Sequence, residues 1–160
     1  RETPMRWVRF IQELQPTNLP PKCTDFEIPN SRGMLVETGI PVDSVCMHHI
    51  MPFSGYATIG YLPGLRKIGL SKLARITNYF SHRLQTQEQL TAQIADFLIT
   101  VLDASGIGVI IRARHSCMEA RGVRAHGVVT TTSELRGLLH TDPTSRQEFL
   151  QFHLQHPVDG

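Results

Sequence analysis

The sequence predicts an α+β domain in which two pairs of strands flank two central helices. Three observations carry that reading. Two apolar stripes at helical spacing lie back to back in the middle of the chain. Segments rich in β-branched and alternating apolar residues lie in pairs before and after them. The 160 residues, 41% hydrophobic and 19% charged, suit one domain (1–160) with its own core, and no repeat or low-complexity linker divides it.

The elements follow in order. Thr3 caps a first helix, Pro4 suits its first position, and Trp7, Phe10, Ile11 and Leu14 recur at helical spacing. Residues 15–23 hold three prolines and read as a loop. Residues 34–42 form a strand with Pro41 near its end or on an edge. Residues 55–62 form a second strand, closed by a turn at Pro63-Gly64. Ser71 caps the next helix, whose stripe is Leu73, Ile76, Phe80 and Leu84. Thr86 and Gln89 make a capping box, and Leu90, Ile94, Phe97, Leu98 and Val101 form the buried face behind it. Ser105-Gly106 ends that helix. Residues 107–113 read as a buried strand, 123–132 as its hairpin partner, and 144–154 as a terminal helix.

Composition excludes some functions. A net charge of +2 is too weak for a nucleic-acid partner, and no apolar run is long enough to cross a bilayer. The opening residues are polar and carry no signal-peptide pattern. Three scattered cysteines, Cys23, Cys46 and Cys117, do not make a disulfide framework. They fit a reducing, cytoplasmic setting in which thiolates serve metal or chemistry.

Chemistry-bearing residues concentrate in two clusters. Residues 45–53 read VCMHHIMPF, placing Cys46 beside His48 and His49, and His115-Ser116-Cys117 lies far downstream. Cysteine and histidine are zinc ligands, and a catalytic zinc keeps three of them and one open position. Cys46, one of the paired histidines and Cys117 supply such a set. In extended chain His115 and Cys117 share a face. The histidines left over suit proton transfer near neutral pH. Taken singly, each cysteine reads as a small buried hydrophobe and each histidine as a surface group; the pairing of clusters favours a metal. Cys23 has no such partner and reads as structural.

In order and spacing, C-x-H-H at Cys46, G-L-S-K-L-A-R at 69–75, Q-x-Q-E-x-L-T at 85–91, H-x-C-x-x-x-R-G-V at 115–123 and T-T-T-S-x-L-R-G at 130–137 resemble the GTP cyclohydrolase I family. The likeness is close from residue 44 to 150. It implies a tunnelling fold: a four-stranded antiparallel sheet with two adjacent helices per subunit. Subunits would close into a β-barrel ring, typically a homodecamer of two pentamers. It implies opening of the imidazole ring of GTP, release of carbon 8 as formate, and reclosure to 7,8-dihydroneopterin triphosphate, the start of folate, pterin and deazaguanine routes. Zinc would be held by Cys46, His49 and Cys117, with His48 and His115 catalytic. Glu88 would read guanine, with Gln87 beside it. Ser71, Lys72, Arg75 and Arg121 would hold the triphosphate. Without the resemblance, Glu88 reads as a first-turn acid and Lys72 and Arg75 as a solvated basic face.

The sequence departs from the family's C-E-H-H at Met47, which brings neither charge nor a strong hydrogen bond, and Val128 replaces a serine. Two other readings compete. One is a different product or purine substrate on the same fold. A deazapurine nitrile reductase of that fold is disfavoured, because its E-[SL]-K-S-x-K type motif is absent. The other is a non-catalytic zinc or nucleotide-binding scaffold.

Overall fold

The computed structural model describes residues 2–13, 20–22, 25–27, 33–64 and 66–155. Helix α1 (Thr3–Glu13) opens the chain, followed by β1 (Asp25–Glu27), β2 (Leu35–Cys46), β3 (Met51–Leu62) and β4 (Arg66–Ile68). Then come α2 (Ser71–Ser81), β5 (Leu84–Gln85), α3 (Gln87–Leu102), β6 (Gly106–His115) and α4 (Ser116–Glu119). The chain closes with β7 (Thr130–Gly137), α5 (Leu138–Thr141) and α6 (Pro143–Gln155). The α+β reading holds.

The sheet has five strands in the order β5-β2-β3-β6-β7. Four long strands run antiparallel, as the family resemblance implies. The fifth, β5, was not foreseen: two residues pair parallel to Val45 and Cys46. A separate antiparallel pair joins β1 to β4. Strand β2 carries a bulge between Glu37 and Ile40, where Gly39 adopts a φ of 72°. Pro41 follows it, opposite Tyr56 and short of the two residues of β2 that pair with β5.

Helices α2 and α3 cover one face of the sheet. Leu73, Ile76, Leu90, Ile94 and Leu98 meet Ile59, Tyr61, Ile107, Val109 and Ile111 there, all fully buried. The Tyr61 hydroxyl accepts from the Ile68 amide at 3.2 Å, so that buried polar tip is satisfied. The other face carries a smaller core of Ile110, Leu139 and Phe149. Gly60 and Gly108 face each other across β3 and β6, and a Cβ on either would lie 2.6 Å from the Phe149 ring. The two glycines form the seat that lets α6 approach the sheet.

Several expectations are corrected. Thr3 and Ser71 are the first residues of their helices, not caps. At α2 the cap position is Leu70, with helical angles and no side-chain bond; backbone bonds from Lys72 to Gly69 and from Leu73 to Leu70 close the first turn. Leu84 is exposed in β5 and outside the helix, because α2 ends at Ser81 and the chain turns to pair with β2. Val101 is exposed on the last turn of α3. The strand expected over 123–132 begins only at Thr130. Positive φ angles at Gly122, Arg124 and Gly127 prevent a ladder there. In α1 no residue is buried, and Leu14 and Cys23 lie outside the described residues. The capping box is as expected: Gln89 N–H donates to Thr86 Oγ1, and Thr86 N–H to Gln89 Oε1, both at 3.2 Å.

Replacing Gly108 with alanine will lower stability by about 1–3 kcal/mol, because the buried Phe149 ring cannot retreat. Phe149→Ala will cost about 3–5 kcal/mol. Gly108→Ala combined with Phe149→Leu will lose less than the sum of its parts, as read from denaturant midpoints.

Candidate metal centre and active site

The β2–β3 hairpin turns through Met47, His48, His49 and Ile50. The Ile50 amide donates to the Cys46 carbonyl at 2.9 Å, and Ile50 takes a φ of 52° to close the turn. The Met47 amide donates to the Gln85 carbonyl at 3.1 Å, tying the turn to β5. Register does the rest. Cys46 pairs with Met51, and two residues on Phe53 pairs with His115, the last residue of β6. Both clusters therefore arrive at one end of the sheet.

Cys117 reaches the same place from the first turn of α4. The pleat argument for His115 and Cys117 fails, since the strand stops between them, yet both side chains still meet the cavity. The ligand atoms of Cys46, His49 and Cys117 lie within 4.8 Å of one another. Zinc–sulfur bonds near 2.3 Å require tetrahedral ligand atoms about 3.8 Å apart, so a small closure suffices. Two soft thiols and an imidazole suit a borderline-soft divalent ion, and three protein ligands leave one position open. Burial and the neighbouring Cys46 push the Cys117 thiol up, and the Arg121 guanidinium opposes them. A bound cation would reverse that balance.

The remaining histidines differ in setting. His48 Nδ1 lies 3.8 Å from Cys46 Sγ, and its ring stands edge-on to His49. His115 stacks on Phe53, ring centres 4.7 Å apart, and its Nε2 lies 2.8 Å from Gln87 Oε1. Burial lowers its pKa, and Glu88 opposes the shift. Glu88 sits in the first turn of α3, beside the mouth. Cys46, His48, His49, Gln87, Glu88, His115 and Cys117 line one cavity of about 200 Å³. Thr86, Met118 and Thr130 complete it. Met47 stands 48% exposed outside that lining.

Two groups of expected residues are placed differently. Gln87 was paired with Glu88 as a guanine contact, but its side chain is buried and its amide is spent on protein partners. Ser71, Lys72 and Arg75 do not line the cavity. They share the first turns of α2, whose other end packs near the metal ligands: Gln85 Nε2 donates to the Phe80 carbonyl, and Gln85 pairs with Cys46. An 11-residue helix puts about 15 Å between its ends. Arg121 alone of the four basic-site residues lies near the ligands, close enough to influence Cys117. The sequence reading missed Phe53, although it lies inside the VCMHHIMPF stretch.

Comparison with known proteins identifies the family. The family model described as GTP cyclohydrolase I matches residues 1–154. A protein named GTP cyclohydrolase 1 from Janthinobacterium sp. (strain Marseille) is 51% identical over 117 residues, 73% of this chain and 59% of that protein. One of the same name from Synechococcus sp. (strain JA-3-3Ab) is 47% identical over 124 residues, covering 78% and 54% respectively. Another, from Mycolicibacterium vanbaalenii, is 44% identical over 163 residues, covering 97% of this chain and 79% of that protein. The chain thus spans little more than half the length of the first two relatives. Among solved structures, an archaeosine synthase QueF-Like in its apo form shares the fold: TM-score 0.55 at 14% identity, over 68% of this chain and 97% of that one. With its family model matched almost end to end, this chain belongs to the GTP cyclohydrolase I family.

Proposed function

We propose that the protein hydrolyses and rearranges GTP to 7,8-dihydroneopterin triphosphate with release of formate, feeding pterin and folate synthesis. The observation that carries this reading is the meeting of Cys46, His49 and Cys117 in one cavity with two further histidines and Glu88. Zinc held by those three ligands would supply Lewis-acid activation of water near neutral pH. His48 and His115 move the protons that ring opening and reclosure demand. The Glu88 carboxylate accepts the ring N–H and amino hydrogens of guanine together, which fixes the purine's orientation. Its position in the first turn of α3 sets its carboxylate against the positive end of the helix dipole. Arg121 approaches the triphosphate from the Cys117 side.

Ser71, Lys72 and Arg75 belong to the triphosphate cradle, supplied by a second copy of the chain. Three observations support this. The residues lie a helix length from their own metal ligands. The cavity of about 200 Å³ is below the roughly 300–1,000 Å³ of ordinary ligand clefts. Helix α1 buries nothing within the chain and leaves Met5, Trp7 and Val8 exposed. A ring of subunits, decameric as two pentamers, would close each site between copies. No helix among the described residues is long and apolar enough to cross a membrane.

The zinc-loaded protein will convert GTP to formate and pterin together. Chelation or Cys117→Ser will abolish both signals, and persistence of turnover without metal would overturn the zinc assignment. Lys72→Ala and His115→Ala proteins, each inactive, will regain activity when co-assembled, because about a quarter of mixed sites receive both intact residues. No recovery in verified mixed assemblies would place the cradle on the same copy. Met47→Glu will raise the rate of formate release or leave it unchanged; a clear loss would mean that methionine serves a different reaction.

A further inference from the structure

We infer that Gln87 is a positioning residue that fixes the ring of His115 with its proton on Nε2, leaving the Nδ1 lone pair free for the reaction. The inference rests on the cyclohydrolase reading for its catalytic consequence, but the geometry stands by itself. The side chain of Gln87 is 1% exposed at the start of α3. Its Nε2 lies 3.0 Å from the Ile111 carbonyl, 3.0 Å from the Thr130 carbonyl and 3.1 Å from Thr132 Oγ1. Two of these partners are carbonyls, which only accept. The amide cannot be turned over, because its own oxygen would then face both.

That fixes Oε1 toward His115 Nε2 at 2.8 Å. An amide oxygen donates nothing, so the imidazole nitrogen must supply the hydrogen in either charge state. A neutral His115 is therefore held as one tautomer. The stacked Phe53 ring, 12° from parallel, sets the plane of the imidazole. Gln87 sets its rotation within that plane.

The amide is itself anchored by a directed chain. Thr91 Oγ1 donates to the main-chain carbonyl of Gln87 at 2.7 Å, so the 2.6 Å contact between the Thr91 and Thr132 hydroxyls takes its hydrogen from Thr132. Thr132 Oγ1 in turn accepts from Gln87 Nε2, sharing one of its two hydrogens with a carbonyl. Each hydroxyl donates once and accepts once. The chain locks α3 to β6 and β7 at the wall of the cavity. Such support of a reacting group from behind commonly decides whether it lies within the few tenths of an ångström that chemistry needs.

The test uses the zinc-loaded protein and Gln87→Met, which keeps length and loses both ends of the amide. We expect kcat for formate release to fall about 10–100-fold with the KM for GTP nearly unchanged. A kcat unchanged by Gln87→Met, or one lowered only in proportion to the fraction of unfolded protein, would show a merely structural role and overturn the inference. Nitrogen NMR of ring-labelled histidine provides a readout free of activity. His115 will show the Nε2–H tautomer in the parent protein and a mixture in the variant; an unchanged spectrum would sink the proposal. Should Gln87→Met fail to fold, Thr132→Val and Thr132→Ser take its place. Valine will loosen the tautomer and serine will restore it, whereas equal behaviour of the two would refute the chain. If the parent protein turns over no GTP, the cyclohydrolase reading fails, and the NMR result still decides the role of Gln87.

Discussion

The site depends on the register of two antiparallel ladders that share β3. Cys46 lies opposite Met51, and two residues further along β3 Phe53 lies opposite His115. Those pairings bring together two clusters separated by roughly 70 residues of chain. A slip of β6 by one residue along β3 would turn His115 to the face opposite Phe53 and draw Cys117 away from Cys46. The apolar core enforces the register. Ile107, Val109 and Ile111 must face α2 and α3, and Gly108 must face Phe149. Burial on both faces of β6 leaves no alternative alignment that is not costly.

The helices then divide the labour. Helix α3 starts at the cavity, and its capping box satisfies the first turn while holding Gln87 and Glu88 in place. Helix α2 ends there and starts far away, so its basic first turn faces other surroundings. One fold thus places the Cys46, His49 and Cys117 cluster at one end and the basic start of α2 at the other. An assembly that sets one end against the other closes both needs at once.

Most of the fold was legible because its signals are local. The stripes of α2 and α3 and the Thr86–Gln89 box depend on residues three or four apart, and the structure repeats them. Errors came where a distant partner decided. Leu84 fits the stripe of α2 by spacing, but pairing with β2 draws it into a strand. The run Val128 to Thr132 looks like strand, yet positive φ angles just before it delay the ladder to Thr130. The meeting of Cys46, His49 and Cys117 was legible because cysteine and histidine announce their chemistry. The contacts of Gln87 were not, since its partners lie 24 to 45 residues away and a glutamine announces nothing.

Strand β5 is only two residues long, yet it joins the hairpin that carries Cys46, His48 and His49 to the segment between the two helices. In cooperative terms, the hairpin turn and the start of α3 form a single unit of local unfolding. Opening the Met47–Gln85 bond frees the turn that carries His48 and His49, and also frees the residue immediately before the Thr86 cap. Loss of order in the turn therefore spreads to the start of α3. Clamping either segment slows amide exchange at both.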